Sequence, residues 1–93
     1  MDIGLIVDFK NKAVSGSISQ FRDPYVDAGI DGTINIETFE VTTTFSGSVG
    51  SVEYGVEEPW NGTITGKVSE DLNTFNGDIR DDEGDGGEFT INK

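Results

Sequence analysis

The sequence predicts a small all-β domain: an antiparallel sheet of seven to eight strands curled into a barrel, with a two-sheet β-sandwich as the alternative. Three observations predict it. Ile, Val and Thr number 26 among 93 residues, whereas Leu, Ala and Met number 5. β-branched side chains lose rotamer freedom in a helix and pack well on a pleated surface. Apolar residues alternate with polar ones along most of the chain, the pattern of an antiparallel sheet with one wet face. Finally, a Gly–polar–apolar triplet recurs at Gly16, Gly32, Gly47, Gly62 and Gly77, at spacings of 16, 15, 15 and 15 residues, and again at Gly87. These glycines share parity with the apolar residues and so point inward. Glycine at such a position leaves room for a bulky neighbour across a narrow interior and lets a strand bend.

The runs follow in order. Ile3, Leu5, Val7 and Phe9 share one face, and a turn at Asn11-Lys12 leads to Val14, Gly16 and Ile18. A loop is expected from Phe21 to Asp27 around Pro24. Ile30, Gly32, Ile34 and Ile36 form the next inward set, followed by Phe39, Val41, Thr43, Phe45, Gly47 and Val49. A second loop is expected from Tyr54 to Pro59, then an inward set of Trp60, Gly62, Ile64, Gly66 and Val68. A turn at Glu70-Asp71-Leu72-Asn73 precedes Phe75, Gly77 and Ile79. A Gly/Asp loop from Arg80 to Gly86 precedes the closing set Gly87, Phe89 and Ile91. No linker interrupts the series, so residues 1–93 read as one domain. Trp60 is expected in the core, and Tyr25 and Tyr54 in exposed loops.

Charge bounds the partners. Eighteen acidic residues against six basic ones give a formal net charge of −12. Such a chain is repelled by nucleic acid and by anionic membranes, and basic protein surfaces attract it. It has no Cys and no His, which removes thiolate chemistry and leaves the redox compartment open. No run is apolar enough to span a membrane as a helix. The first residues are too short and too acidic a stretch for a signal peptide. A cytoplasmic product is therefore expected, with a secreted or cell-surface module as the alternative.

Both ends resemble a known family. Leu5-Ile6-Val7-Asp8-Phe9, the polar turn after it, and Ser15-Gly16-Ser17-Ile18 look like the opening hairpin of the eight-stranded barrel in transferrin-binding-protein-B-like lipoproteins. Phe75-Asn76-Gly77, Glu83 and Gly86-Gly87-Glu88-Phe89 are similar to the closing motifs of that barrel. The lipidation Cys is absent, and Asp78 to Asp82 replace the family's usual Gly-Pro and Ala. The resemblance implies the barrel shape. It does not carry a binding partner, because partner contacts in that family lie outside these framework motifs.

Candidate functional residues are carboxylates. Asp81, Glu83 and Asp85 ahead of Gly86 mimic the first half of a calcium loop, but Asn92 stands where a bidentate Glu belongs, and strands rather than helices flank it. No metal and no cofactor is therefore expected. The same loop, Asp81, Asp82, Glu83, Asp85 and Glu88, reads better as an acidic patch for a protein partner. Glu53, Glu57 and Glu58, with Tyr54 among them and Trp60 beyond, form a second cluster. Asp23, Asp27 and Asp31 form a third. Outward strand neighbours on one face lie about 6–7 Å apart, a spacing suited to imitating a phosphate track. Nucleophile motifs are absent, so catalysis is not expected.

The sequence thus leads to a non-catalytic acidic inhibitor. It would occupy the basic nucleic-acid-binding surface of a partner protein, as phage anti-restriction or anti-CRISPR proteins do, with no direct contact to nucleic acid or membrane. The alternative is an exported ligand- or protein-binding barrel of the transferrin-binding-protein-B-like kind. A third reading is a subunit of a surface or phage assembly.

Overall fold

The computed structural model describes residues 2–92. Seven antiparallel strands form one curled sheet, a half-barrel: β1 (Asp2–Asp8), β2 (Ala13–Gln20), β3 (Tyr25–Ile34), β4 (Glu40–Ser51), β5 (Val56–Val68), β6 (Thr74–Asp81) and β7 (Gly86–Asn92). Spatial order follows chain order, so the fold is an uninterrupted meander. No helix occurs among the described residues. The sandwich alternative fails because all seven strands share one sheet.

The inward parity expected from the sequence holds in every strand. Cross-strand register shows why the sheet curls. One inward row reads Leu5, Gly16, Ile30, Phe45, Gly62; another reads Ile18, Ala28, Gly47, Trp60; a third reads Val41, Gly66, Gly77, Phe89. Each row sets large side chains beside glycine. A Cβ on Gly62 would lie 2.7 Å from the Phe45 ring, and one on Gly66 would lie 2.8 Å from the Phe75 ring. The rings occupy the space the glycines leave, which fills a narrow interior from one side. Val14, Ile18, Val41, Phe45 and Ile64 are completely or almost completely buried. Thr43, the one buried polar side chain among the described residues, donates its hydroxyl to the Ile64 carbonyl at 2.9 Å.

Several boundaries differ from the sequence expectation. The loop expected at Phe21–Asp27 is shorter, because β3 already begins at Tyr25, which pairs with Gly50. Tyr25 is thus a strand residue and not a loop residue. The loop expected at Tyr54–Pro59 is also shorter: Val56 to Pro59 continue β5 and pair with Ser51 to Ser48. Arg80 and Asp81 belong to β6. Ile36 leaves the sheet for the β3–β4 turn and is exposed, and Phe9 lies in the β1–β2 turn.

These extensions make β4 and β5 the longest strands, at 12 and 13 residues. β6 pairs with β5 only from Gly62 onward. The β4–β5 hairpin therefore runs past the ends of β6 and β7 as an arm, flanked on its other side by the start of β3. Six further residues at about 3.3 Å each carry its tip roughly 20 Å beyond the end of β6. The molecule measures 46 × 22 × 22 Å accordingly.

Candidate acidic interface

A meander sends alternate loops to the same end. The β2–β3 loop (21–24), the β4–β5 turn (52–55) and the β6–β7 loop (82–85) all lie at the arm end; the other three turns lie opposite. Two acidic clusters far apart in sequence, Glu53/Glu57/Glu58 and Asp82/Glu83/Asp85, are thereby brought to one end of the molecule.

The tip of the arm is a joined structure. The Asp23 carboxylate accepts from the Ser51 hydroxyl at 2.8 Å and from the Val52 backbone N–H at 2.9 Å, tying the β2–β3 loop to the β4–β5 turn. Ser51 in turn accepts from the Tyr54 N–H at 3.3 Å. Asp23 is consumed in holding the tip together. What the tip presents is Phe21, Val52 and Tyr54, exposed by 92%, 80% and 77%, beside Glu53 and the arm carboxylates. Aromatic and apolar side chains this exposed, rimmed by charge, have the composition of a protein interface. Tyr54 was expected in this role. Phe21 and Val52 were not, since a single aromatic between Gln20 and Arg22 gives no periodic signal.

The base of the arm carries the second cluster. β6 parity places Asp81 on the inward face, following Phe75, Gly77 and Ile79. There its Oδ2 accepts from the Trp60 indole N–H at 3.4 Å, while the Trp60 ring packs against Phe45 with centroids 4.4 Å apart and the ring planes tilted by 49°. Asp81 Oδ1 accepts from the backbone N–H groups of Glu83 and Asp85 at 3.0 and 2.9 Å. Asp81 thus organises the loop from inside. The Asp82 N–H donates to the Asn61 carbonyl at 2.9 Å, anchoring the loop to the arm. The positive φ of Gly84, 86°, closes the turn. Asp82, Glu83 and Asp85 are left exposed.

The remaining candidates sit elsewhere. Glu88 lies on the outer wall of β7, directly opposite Asp78 of β6, and Arg80 holds Asp78 at 3.2 Å. Asp27 and Asp31 project from the outer face of β3, apart from Asp23. Tyr25 lies on the outer face of the arm in one row with Gly50 and Glu57. Burial, and next the Glu57 charge, push its phenol above the ordinary tyrosine value.

Basic residues are scarce at this end. Lys10, Lys12 and Lys67 lie at or near the opposite end; Arg22 and Arg80 lie at the arm end, Arg80 being paired with Asp78. No group of three or more acidic side chains is placed to hold a metal ion among the described residues, and Asp81 already spends both oxygens on protein donors. No described helix is long and apolar enough to cross a membrane. Comparison with protein-family models, with curated proteins and with solved structures finds no match to this chain.

Proposed function

We propose that the chain is a non-catalytic binding protein whose arm end occupies a basic, nucleic-acid-binding surface of a partner protein. The observation that carries this reading is that Glu53, Glu57 and Glu58 of the arm and Asp82, Glu83 and Asp85 of the loop at its base lie at one end of the molecule. The run from tip to base, roughly 20 Å, spans about six base-pair steps of 3.4 Å. Carboxylates fixed on paired strands and an anchored loop lose little conformational freedom on binding, which favours affinity. Phe21, Val52 and Tyr54 at the tip add apolar contact that a phosphate chain lacks, and this supplies preference for one partner over basic surfaces in general.

Direct binding to a panel of DNA-cleaving enzymes with basic DNA grooves tests the proposal. Affinity should fall by about an order of magnitude or more from about 0.05 M to about 0.5 M salt. It should fall further in the chain carrying Asp82→Ala, Glu83→Ala and Asp85→Ala. Affinity indifferent to salt and to these changes overturns it.

A further inference from the structure

The sheet curls without closing. Among the described residues β1 pairs only with β2, and β7 only with β6. Seven strands in a meander leave the first and last pointing the same way. Asp2 and Gly86 lie at the arm end, and Asp8 and Asn92 lie at the other. An antiparallel up-and-down barrel requires neighbours of opposite direction all the way round, and so an even number of strands. The two free edges of this sheet therefore cannot complete it by pairing with each other. One more strand, antiparallel to both, would.

Three further observations mark the seam between β1 and β7 as unfinished. Ile3, Leu5 and Val7 of β1, with Phe89 and Ile91 of β7, are only partly buried, while the apolar residues of the same rows in β2 to β6, Trp60 apart, are buried. A cavity of about 410 Å³ reaches from Gly4, Leu5 and Val7 on one edge to Ile91 on the other, over Phe75. Neither edge strand carries the Pro, Lys or bulge that commonly blocks further pairing; both ladders run without a break. The outward positions along the two edges are acidic at Asp2, Asp8 and Glu88.

We infer that the seam takes up one extended segment of a partner protein, about seven residues long, running antiparallel to both β1 and β7 and completing an eight-stranded barrel. Its alternate apolar side chains fill the cavity. Its outward side chains are Lys or Arg facing Asp2, Asp8 and Glu88. Backbone pairing on two edges supplies affinity, and alternation supplies selectivity, as in other strand additions. A second copy of this chain is the wrong occupant: each copy carries −12, and its own edge strands would bring acidic residues against acidic residues. The inference stands apart from the arm end, whose loops take no part in the seam.

Amide hydrogen exchange of the full chain, read residue by residue, tests it with three synthetic peptides. The first is Lys-Val-Lys-Ile-Lys-Val-Lys, acetylated and amidated. The second is the same peptide N-methylated at alternate residues, which removes ladder donors. The third has the same composition in the order Lys-Lys-Val-Ile-Val-Lys-Lys. Only the first should bind saturably, and it should slow alternate amides within both 3–7 and 87–91 by about tenfold or more. Exchange at 53–58 and 82–85 should stay as it was. Equal binding of all three peptides, or protection confined to the arm-end loops, overturns the inference. Sedimentation showing that the chain pairs with itself through these edges does so too.

Discussion

The indole N–H of Trp60 donates to Asp81 on the neighbouring strand, and the other oxygen of that carboxylate holds the two backbone N–H groups that shape the β6–β7 loop. One side chain thus links the core to the loop that displays Asp82, Glu83 and Asp85. Its charge is spent inside the fold. The carboxylates beside it are the ones free to meet a partner.

Asp81→Ala should therefore act through loop order and stability. Hydrogen bonds to a charged acceptor are worth about 1.5–3 kcal/mol when buried, and this site is half open, so a loss of about 1–2 kcal/mol is expected. In a domain of this size that is a fall in Tm of roughly 4–16 °C. Asp82→Ala, with no side-chain bond to lose, should stay within about 0.5 kcal/mol. Thermal unfolding, with Trp60 fluorescence as the probe, separates the two.

The curl depends on glycine beneath aromatic rings. In Gly62→Ala the new methyl would meet the Asp81 Cα and the Phe45 ring, each 2.7 Å away. Backbone on one side and a fully buried ring on the other leave little to yield, so a cost of about 1–3 kcal/mol follows. Gly29 on the outer face has nothing within 4 Å of a built Cβ. Gly29→Ala should be neutral or stabilising by up to about 1 kcal/mol, through the unfolded chain. Denaturant midpoints of the two variants should move in opposite directions, or the second should not move.

Stability should respond to pH at both extremes. Hydrogen bonds from the Asn11 side chain and backbone hold the Asp8 carboxyl below its ordinary value near 3.8, and the Ser69 hydroxyl followed by the Asn73 backbone N–H does the same for Asp71. A depressed pKa contributes stability that is present above the ordinary value and disappears as pH falls through the folded one. Asp8→Asn and Asp71→Asn should therefore flatten the acid limb of the stability curve below about pH 4 relative to the parent chain. Tyr25 is the reverse case. Its raised pKa contributes stability that is present below the ordinary value near 10.0 and disappears as pH rises through the folded one. Tyr25→Phe should flatten the alkaline limb. Urea unfolding at a series of pH values reads both.

The strands were legible because alternation and the glycine triplets report the same physical fact, one narrow apolar face. The inward turn of Asp81 was missed, because Arg80 to Gly86 reads as a loop, although the parity of Phe75, Gly77 and Ile79 runs on to it. The arm was not legible. Glu57, Glu58 and Pro59 have the composition of a loop, yet β5 has no paired strand on its second side from Val56 to Trp60, so proline there interrupts no ladder between two strands. Pro24 likewise disguised the start of β3 at Tyr25. That Glu57 and Asp82 lie at the same end depends on strand order, which short alternating runs do not encode. Phe21 carries no pattern at all, and its position shows only once Asp23 is seen bonded to Val52.

The central claim is that the place of the carboxylates matters, beyond their number. Two triple variants with the same change in net charge test it most directly: Asp82→Asn, Glu83→Gln and Asp85→Asn at the arm end, and Glu37→Gln, Glu40→Gln and Glu70→Gln at or near the opposite end. Their affinities for a nuclease bound by the parent chain are measured side by side at one salt concentration. The account predicts that the arm-end variant loses affinity by about tenfold or more while the other keeps nearly all of it. Equal losses in the two would contradict it.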